Sequence, residues 1–148
     1  MTEFEGALGL AGLKDFRKNL RIRKQNALYL MKHLSRWSNI LQLPSWPEYT
    51  ENAHTYFPMV LIDESIKRGD LLAWLEEHNI ETRTLWPMLS QPVFINMYGN
   101  LLSKNPVAAY LDTRGFFVGC HPGFTKQDLA HIVRTLEEFL SDTHETAS

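Results

Sequence analysis

Apolar and small side chains recur along the first 43 residues at steps of three, four and seven, and no proline interrupts this segment. Such spacing keeps one apolar stripe on one face of a helix. A helix of about 30 residues would be about 45 Å long, well beyond the roughly 13–16 Å radius expected for a chain of this size. Part of it must therefore project, bend, or pack against something outside a compact globule. The stripe consists of Leu13, Phe16, Leu20, Ala27, Leu30, Leu34 and Trp37, and Arg23 interrupts it once.

Three glycines, Gly6, Gly9 and Gly12, lie at the start of this helix. Each glycine inside a helix costs about 0.5–1 kcal/mol relative to alanine. Because they are spaced by three, they lie close to one face and would let another backbone approach closely. Either the helix start is frayed or, as we favour, this face packs against a partner.

Short β-rich runs follow, separated by turn residues and amphipathic segments. Pro58 confines its own amide to a strand edge or bulge, and Asn79 suits the position after a helix end. Residues 41–51 are predicted to form a connector and residues 86–105 a loop. The predicted strands are residues 55–62, 80–85 and 115–119, and the predicted helices are residues 70–78, 106–113 and the segment from the N-cap Thr125 to Leu140.

This order predicts an α+β domain with a long N-terminal helix and a small, three- to four-stranded, mainly antiparallel sheet covered by helices on one side. We expect the domain to comprise residues 1–141 and the polar residues 142–148 to form a flexible tail. The length of 148 residues fits one domain. With 44% hydrophobic and 22% charged residues, the composition argues against a disordered, collagen-like or coiled-coil chain.

The net charge and the cysteine content limit which binding partners and which cellular compartment we expect. The net charge of −2 provides no basic field for a nucleic-acid backbone, so nucleic acid is not an expected partner. The single cysteine, Cys120, cannot form an intramolecular disulfide, and a reducing, cytoplasmic setting fits it best. The acidic N-terminus does not resemble a secretory signal, and no apolar run is long enough for a membrane span.

The histidines and the cysteine offer little catalytic chemistry. No pair among the six histidines has ligand spacing with a carboxylate motif, so we predict no metal site. His54 precedes a predicted strand and His121 follows one; such positions often build sites, although a turn or hydrogen-bonding role is the commoner alternative. A Cys120–His121 nucleophile is disfavoured, because adjacent strand residues point to opposite faces. We therefore assign no catalytic residue.

Two polar patterns could bind a ligand. Arg83 and Trp86 lie at the exit of a strand that opens into a long loop, which is a usual way to hold an anionic or planar ligand. The alternative is an exposed edge-strand arginine with Trp86 in the core. The second pattern is a basic stripe on the first helix, which is either a solvated face, as we favour, or a contact for an acidic surface or a phosphate. It consists of Lys14, Arg17, Lys18, Arg21 and Lys24.

Several short strings occur in a characteristic order: Met1–Leu10 (MTEFEGALGL), Arg21–Ala27, His54–Pro58, Ile80–Arg83, Gln91–Phe94 (QPVF) and Gly119–Thr125 (GCHPGFT). Together they resemble the C-terminal portion of the DegT-type nucleotide-sugar aminotransferases, which are pyridoxal 5′-phosphate (PLP) enzymes of fold type I. The resemblance covers about residues 1–141.

The resemblance implies an incomplete catalyst. In this family a large domain, which would lie upstream of Met1, supplies the Schiff-base lysine, the aspartate that pairs with the pyridine nitrogen, and most phosphate contacts. None of the seven lysines here has the family's Ser-x-x-Lys setting. We therefore expect no cofactor-binding residue and no activity in this chain alone, with PLP bound by the full-length enzyme.

The resemblance also implies where the substrate and partners bind. The long helix would link the two domains, and its glycine-rich start would pack on the large domain. Arg83 and Trp86 would face the nucleotide-sugar cleft, with Gln91, His54 and His121 as further substrate contacts. A homodimer is expected.

The reaction type stays open. Glu81–Arg83, Gln91–Phe94 and Gly115–Gly119 look like the related deoxysugar 3-dehydrases, in which a histidine replaces the cofactor lysine. Those enzymes usually show Phe-Ala-Gly-Asn where this chain has Trp86–Leu89 (WPML), and the histidine that aminotransferases often place near Met88 or Leu89 is also missing. The expected role is therefore the small domain of an aminotransferase of deoxysugar or cell-surface polysaccharide biosynthesis, with a 3-dehydrase or a self-standing, non-catalytic dimerisation domain as alternatives.

Overall fold

The computed structural model describes residues 2–85 and 88–145, and it confirms the α+β class. Four strands form one antiparallel sheet in the order β1-β2-β4-β3. The elements, in chain order, are α1 (Glu3–Leu34), a 3₁₀ turn (Ser35–Trp37), β1 (Leu41–Gln42), β2 (Tyr56–Leu61), α2 (Arg68–Glu77), β3 (Thr82–Thr84), α3 (Pro92–Tyr98), a second 3₁₀ turn (Leu102–Lys104), α4 (Pro106–Arg114), β4 (Gly115–Gly119) and α5 (Lys126–Glu145).

Helix α1 begins with a capping box. The Thr2 hydroxyl accepts a hydrogen bond from the Glu5 amide at 3.3 Å, and the Glu5 carboxylate accepts one from the Thr2 amide at 2.7 Å. This reciprocal pair satisfies amides that have no partner inside the helix. Only the C-terminal part of α1 is buried, through Asn26, Ala27, Leu30 and Leu34. The N-terminal half projects from the domain, which is one of the arrangements expected from the length of the predicted helix.

The core lies between one face of the sheet and helices α1, α2 and α5. Alternate residues of β2 and β4 point into it, because successive side chains of a strand face opposite sides. Each large apolar side chain that is fully buried stabilises the fold by about 1.5–3 kcal/mol relative to its exposure to water. The other face is less covered, and there the rings of Tyr56 and Phe117 lie 4.5 Å apart. The inward residues of the two strands are Phe57, Met59, Leu61, Phe116 and Val118.

Two sequence predictions of irregular structure were wrong. The predicted loop 86–105 contains α3 and the second 3₁₀ turn, and the predicted connector 41–51 begins with β1. Helix α3 has seven residues and no buried side chain, so it shows no amphipathic pattern. Strand β1 has two residues, too few for alternation, and pairs only with Val60 and Leu61. The earlier part of β2, which contains Pro58, does not pair with β1 and is therefore an edge of the sheet on that side.

Two arginines tie α4 to the end of the sheet where β2 stops and β4 begins. The Arg114 guanidinium donates hydrogen bonds to the carbonyl groups of Leu61 and Asp63. The Arg68 guanidinium donates to the carbonyl groups of Asp112 and Gly115, and its burial lowers the pKa of Arg68 although Asp112 opposes this shift. These charge-assisted contacts fix the start of β4 against α4.

The C-terminal helix α5 extends to Glu145, into the segment predicted as a flexible tail; residues 146–148 of that tail lie outside the described residues. Among the described residues, no helix has the length and apolar character needed to cross a membrane.

Candidate functional site

The sheet brings two of the predicted site residues to one end, and two others lie elsewhere. Tyr56 of β2 pairs with Gly119 of β4, so His54 and His121 both lie just beyond that pair, at the same end. Gln91 follows β3 at the opposite end, and Arg83 lies in β3 between the two ends. Trp86 lies outside the described residues.

His54 is a buried residue with a structural setting. Only 5% of its surface is exposed, its backbone adopts a positive φ of 46°, and its amide donates to the side-chain oxygen of Asn52 at 2.9 Å. Its ring meets that of Trp46 edge-on at 4.7 Å. Burial lowers the pKa of His54, and the nearby positive charge of Lys24 lowers it further, so the imidazole is neutral at pH 7.

His121 is exposed and differently engaged. Its Nδ1 accepts a hydrogen bond from the Gly123 amide at 3.0 Å, so in the neutral ring the proton lies on Nε2. Its carbonyl accepts a hydrogen bond from the side-chain amide of Asn26 at 2.8 Å. The turn that carries His121 is thereby attached to α1, and Nε2 is the nitrogen left to donate to a ligand.

Helix α1 crosses this end of the sheet. We call this region the α1 crossing; it consists of Arg23 and Asn26 of α1, together with His54, Cys120 and His121. Sequence reasoning missed the role of Asn26, which is buried beside Ala27 in the apolar stripe. Two features of the helix sequence indicate this crossing: the polar Asn26 lies next to the core position Ala27, and the charged Arg23 lies within the apolar stripe.

Cys120 lies inside the α1 crossing, and its thiol donates to the carbonyl of Arg23 at 3.3 Å. Burial raises the pKa of Cys120 to about 11, although the charge of Arg23 opposes the shift. The thiolate is the reactive form of cysteine. The buried thiol is therefore unsuited to nucleophilic chemistry at neutral pH.

We expect Cys120 to react with iodoacetamide at neutral pH at least about 100-fold more slowly in the folded chain than in urea, because burial both limits access and removes the thiolate. Mass spectrometry of quenched samples measures the two rates, and the unfolded chain is its own control. Equal rates would show that the thiol is accessible and ionised in the folded state.

Arg83 is an exposed residue of the edge strand. Its side chain is 62% exposed, it forms an ion pair with Glu81 at 2.5 Å, and it donates to the Thr82 carbonyl at 2.8 Å. An exposed pair of this kind contributes little stability. Arg83 also lines a cavity of about 390 Å³, within the range of ligand pockets. Apolar walls of this cavity come from Ile80, Phe117, Phe124 and Ile132.

Gln91 occupies the N-cap position of α3, is exposed, and makes no side-chain capping bond. It therefore lies on the outer surface, away from the α1 crossing. Among the residues that the structure describes, no cluster of three or more His, Cys, Asp or Glu side chains could hold a metal ion.

Large apolar side chains are exposed on two surfaces. The first is the projecting half of α1, where every residue from 7 to 18 is exposed. The second is formed by α3 and α4, neither of which has a buried residue. Exposed apolar surface of this extent marks interaction sites. The exposed apolar residues of these two surfaces are Phe4, Leu8, Leu10, Leu13 and Phe16 on the projecting half of α1, and Val93, Ile95, Met97, Tyr98, Val107, Tyr110 and Leu111 on α3 and α4.

Residues 1–137 match the sequence profile of the DegT/DnrJ/EryC1/StrS aminotransferase family. The lipopolysaccharide biosynthesis protein RfbH of Salmonella typhimurium is 30% identical over 142 residues, which are 94% of this chain and 32% of RfbH. The chain thus spans about a third of the length of the curated relatives that it matches.

Solved structures share the fold. An aminotransferase from Psychrobacter cryohalolentis superposes with a TM-score of 0.84 at 17% identity, over 97% of this chain and 40% of that one. The GDP-4-keto-6-deoxy-D-mannose-3-dehydratase of E. coli, solved with bound hydrated PLP, superposes with a TM-score of 0.67 at 23% identity, over 88% of this chain and 34% of that one.

Proposed function

We propose, from the premise that the chain belongs to the DegT/DnrJ/EryC1/StrS aminotransferase family, that it is the small, substrate-side domain of a PLP-dependent nucleotide-sugar enzyme whose large domain lies upstream of Met1. The observation that carries the proposal is the projecting half of α1. Its exposed residues Leu13 and Phe16 continue the stripe that is buried further along the helix at Ala27 and Leu30. A second domain packed on this surface would bury the exposed part of the stripe, as the core already buries the rest.

The lysines of this chain do not fit the Schiff-base role toward PLP. All seven lysines are exposed, whereas a lysine that attacks the cofactor must be desolvated and oriented against a pocket. PLP acts as an electron sink when bound, and within our proposal the residues that hold it belong to the upstream domain. The chain by itself is then inactive.

The reaction is an aminotransfer in our primary proposal, within deoxysugar or cell-surface polysaccharide biosynthesis. The family description supports the aminotransfer, and the name of RfbH as a lipopolysaccharide biosynthesis protein supports the polysaccharide setting. A 3-dehydratase is the second candidate, favoured by the dehydratase among the sequence relatives, which is 25% identical. An upstream lysine or histidine at the cofactor position would distinguish the two.

The substrate contacts remain a proposal for Arg83, Trp86, Gln91, His121 and His54. Arg83 and His121 are supported by exposed donors, a guanidinium and Nε2. His54 is buried, so its contribution would be to hold residues 51–54 in place rather than to meet the ligand.

We also propose that the assembled enzyme is a cytoplasmic homodimer. The exposed apolar side chains of α3 and α4 offer a second surface for such a contact, and a reduced, buried Cys120 suits the cytoplasm. A self-standing dimerisation domain would use the same surfaces without any upstream domain.

Sequencing the genome upstream of the Met1 codon tests the proposal. We expect the reading frame to continue through a PLP-binding domain that carries a lysine or a histidine at the cofactor position. A stop codon immediately upstream of Met1, with no such frame, would contradict it and favour the self-standing domain.

Gly9→Ala is expected to stabilise the chain itself but to weaken its association with the upstream domain. No atom lies within 4 Å of a Cβ added at Gly9, so the chain should gain about 0.5–1 kcal/mol from the better helix former. Where another backbone packs on this face, the added methyl should weaken association. Urea unfolding measures the first effect and titration with the separately expressed upstream segment the second. A gain in both would exclude close packing at Gly9.

A further inference from the structure

A cavity of about 530 Å³ lies between the middle of α1 and the loop that precedes β2. It is distinct from the cavity beside Arg83, with which it shares no residue. The side chains of α1 form one wall, and the loop contributes part of the other. The lining residues are Phe16, Arg17, Leu20, Arg21, Lys24, Glu51 and Asn52.

Positive charge is concentrated on the α1 wall. Around Arg21, the helix places Arg17 four residues before, Lys18 three before and Lys24 three after, with the neutral Gln25 four after. Residues at these spacings are neighbours on a helix surface, and like charges there destabilise it. Among the residues that the structure describes, no ion pair involves any of these four cations. A bound anion would relieve this repulsion.

The opposite wall adds a further donor. The side-chain oxygen of Asn52 accepts the hydrogen bond of the His54 amide, which leaves its NH₂ group to donate. Lys24 lies close enough to this loop to lower the pKa of His54, second to burial. The cations of α1 and the loop amide therefore surround one space, opposed by the single carboxylate of Glu51.

We propose that this cavity binds the diphosphate group of the sugar-nucleotide substrate, with Arg17, Arg21 and Lys24 as its cationic contacts. Guanidinium groups pair with phosphate oxygens through two parallel hydrogen bonds, and an ammonium adds a point charge. Three cations and one carboxylate leave a net charge of +2, which matches one negative charge on each of two phosphates. Phe16 and Leu20 offer an apolar wall for the attached ribose or sugar.

The position of the cavity suits an interdomain ligand. It lies where α1 leaves the core and enters its projecting half, so a domain docked on that half would cover the cavity. The identity of the ligand as a sugar nucleotide rests on the proposed function, whereas the recognition of a diphosphate by these three cations does not.

Calorimetric titration of the 148-residue chain at 0.15 M salt tests the proposal, with inorganic diphosphate, UDP and uridine as probes. We expect saturable binding of diphosphate and of UDP, and none of uridine. Arg21→Gln should weaken binding at least tenfold. Lys18→Gln is the matched control, because Lys18 belongs to the same basic stripe but does not line the cavity; it should change binding less than threefold. Circular dichroism checks that each variant is folded, and Arg17→Gln provides a second test.

Several results would overturn the proposal: no saturable binding, equal losses in Arg21→Gln and Lys18→Gln, or exclusion of UDP by a site that accepts inorganic diphosphate. An Arg21→Gln chain that binds diphosphate normally but fails to associate with the upstream segment would show that the stripe docks a protein surface instead. The proposed function is tested separately, by whether the reading frame continues upstream of Met1 through a PLP-binding domain. With that frame confirmed, the full enzyme should show a raised KM for its sugar nucleotide in Arg21→Gln, and an unchanged KM would refute the diphosphate site alone.

Discussion

Gly115→Ala destabilises the chain by about 3 kcal/mol in our expectation, and lowers Tm by roughly 6–12 °C. A Cβ at position 115 would lie 2.4 Å from Leu85 Cδ1 and 2.6 Å from the carbonyl oxygen of Leu111. The leucine side chain can rotate, but the carbonyl belongs to α4. Because Arg68 and Arg114 fix α4 against the sheet, this backbone has little room to retreat.

Urea unfolding of the purified variant measures this effect, and Gly69→Ala is its control. Gly69 lies in α2, and a Cβ there would meet nothing within 4 Å, so this substitution should be neutral or stabilise the helix by up to about 1 kcal/mol. Wild-type stability in Gly115→Ala would mean that α4 is free to move away from β4.

Leu13→Asp should weaken the association of the chain with the separately expressed upstream segment at least about 100-fold, as expected for a central apolar contact. Leu13 is 68% exposed and does not line the diphosphate cavity, so its replacement leaves that site intact. Since the side chain is already in solvent, the stability of the chain itself should change by less than about 0.5 kcal/mol.

Leu28→Asp is the matched control for this experiment. Leu28 is also an exposed leucine of α1, at 48%, but it lies beyond the projecting half. It should leave the association nearly unchanged. Equal losses for the two substitutions would point to a general effect of the added charge, and no loss for Leu13→Asp would remove the projecting half of α1 from the domain contact.

The sequence predicts the long helix and β4 well because both carry strong local signals. The apolar stripe of α1 spans several turns, and two glycines bound the apolar run of β4 at residues 115–119, as observed. Asn79 has the positive φ expected after a helix end. By contrast, β1 has two residues and forms only through its pairing with β2, and α3 has seven residues and no buried side chain. Neither element carries a local apolar pattern that could predict it.

The site residues are harder to predict, since their proximity depends on strand register. His54 and His121 are 67 positions apart and lie at the same end of the sheet only because Tyr56 pairs with Gly119. Asn26 donates a hydrogen bond to the backbone carbonyl of His121, a contact that no residue pattern encodes. The basic stripe was visible in the sequence, but the loop residues that complete its cavity, Glu51 and Asn52, were not.

We propose that this chain completes a PLP enzyme without holding the cofactor itself. Absorbance titration with PLP, of the chain alone and of the chain mixed with its upstream segment, tests it most directly. We predict no stoichiometric PLP site in the chain alone, and one PLP for each chain together with turnover of a sugar nucleotide in the mixture. A saturable, stoichiometric PLP site in the 148-residue chain by itself would contradict this account.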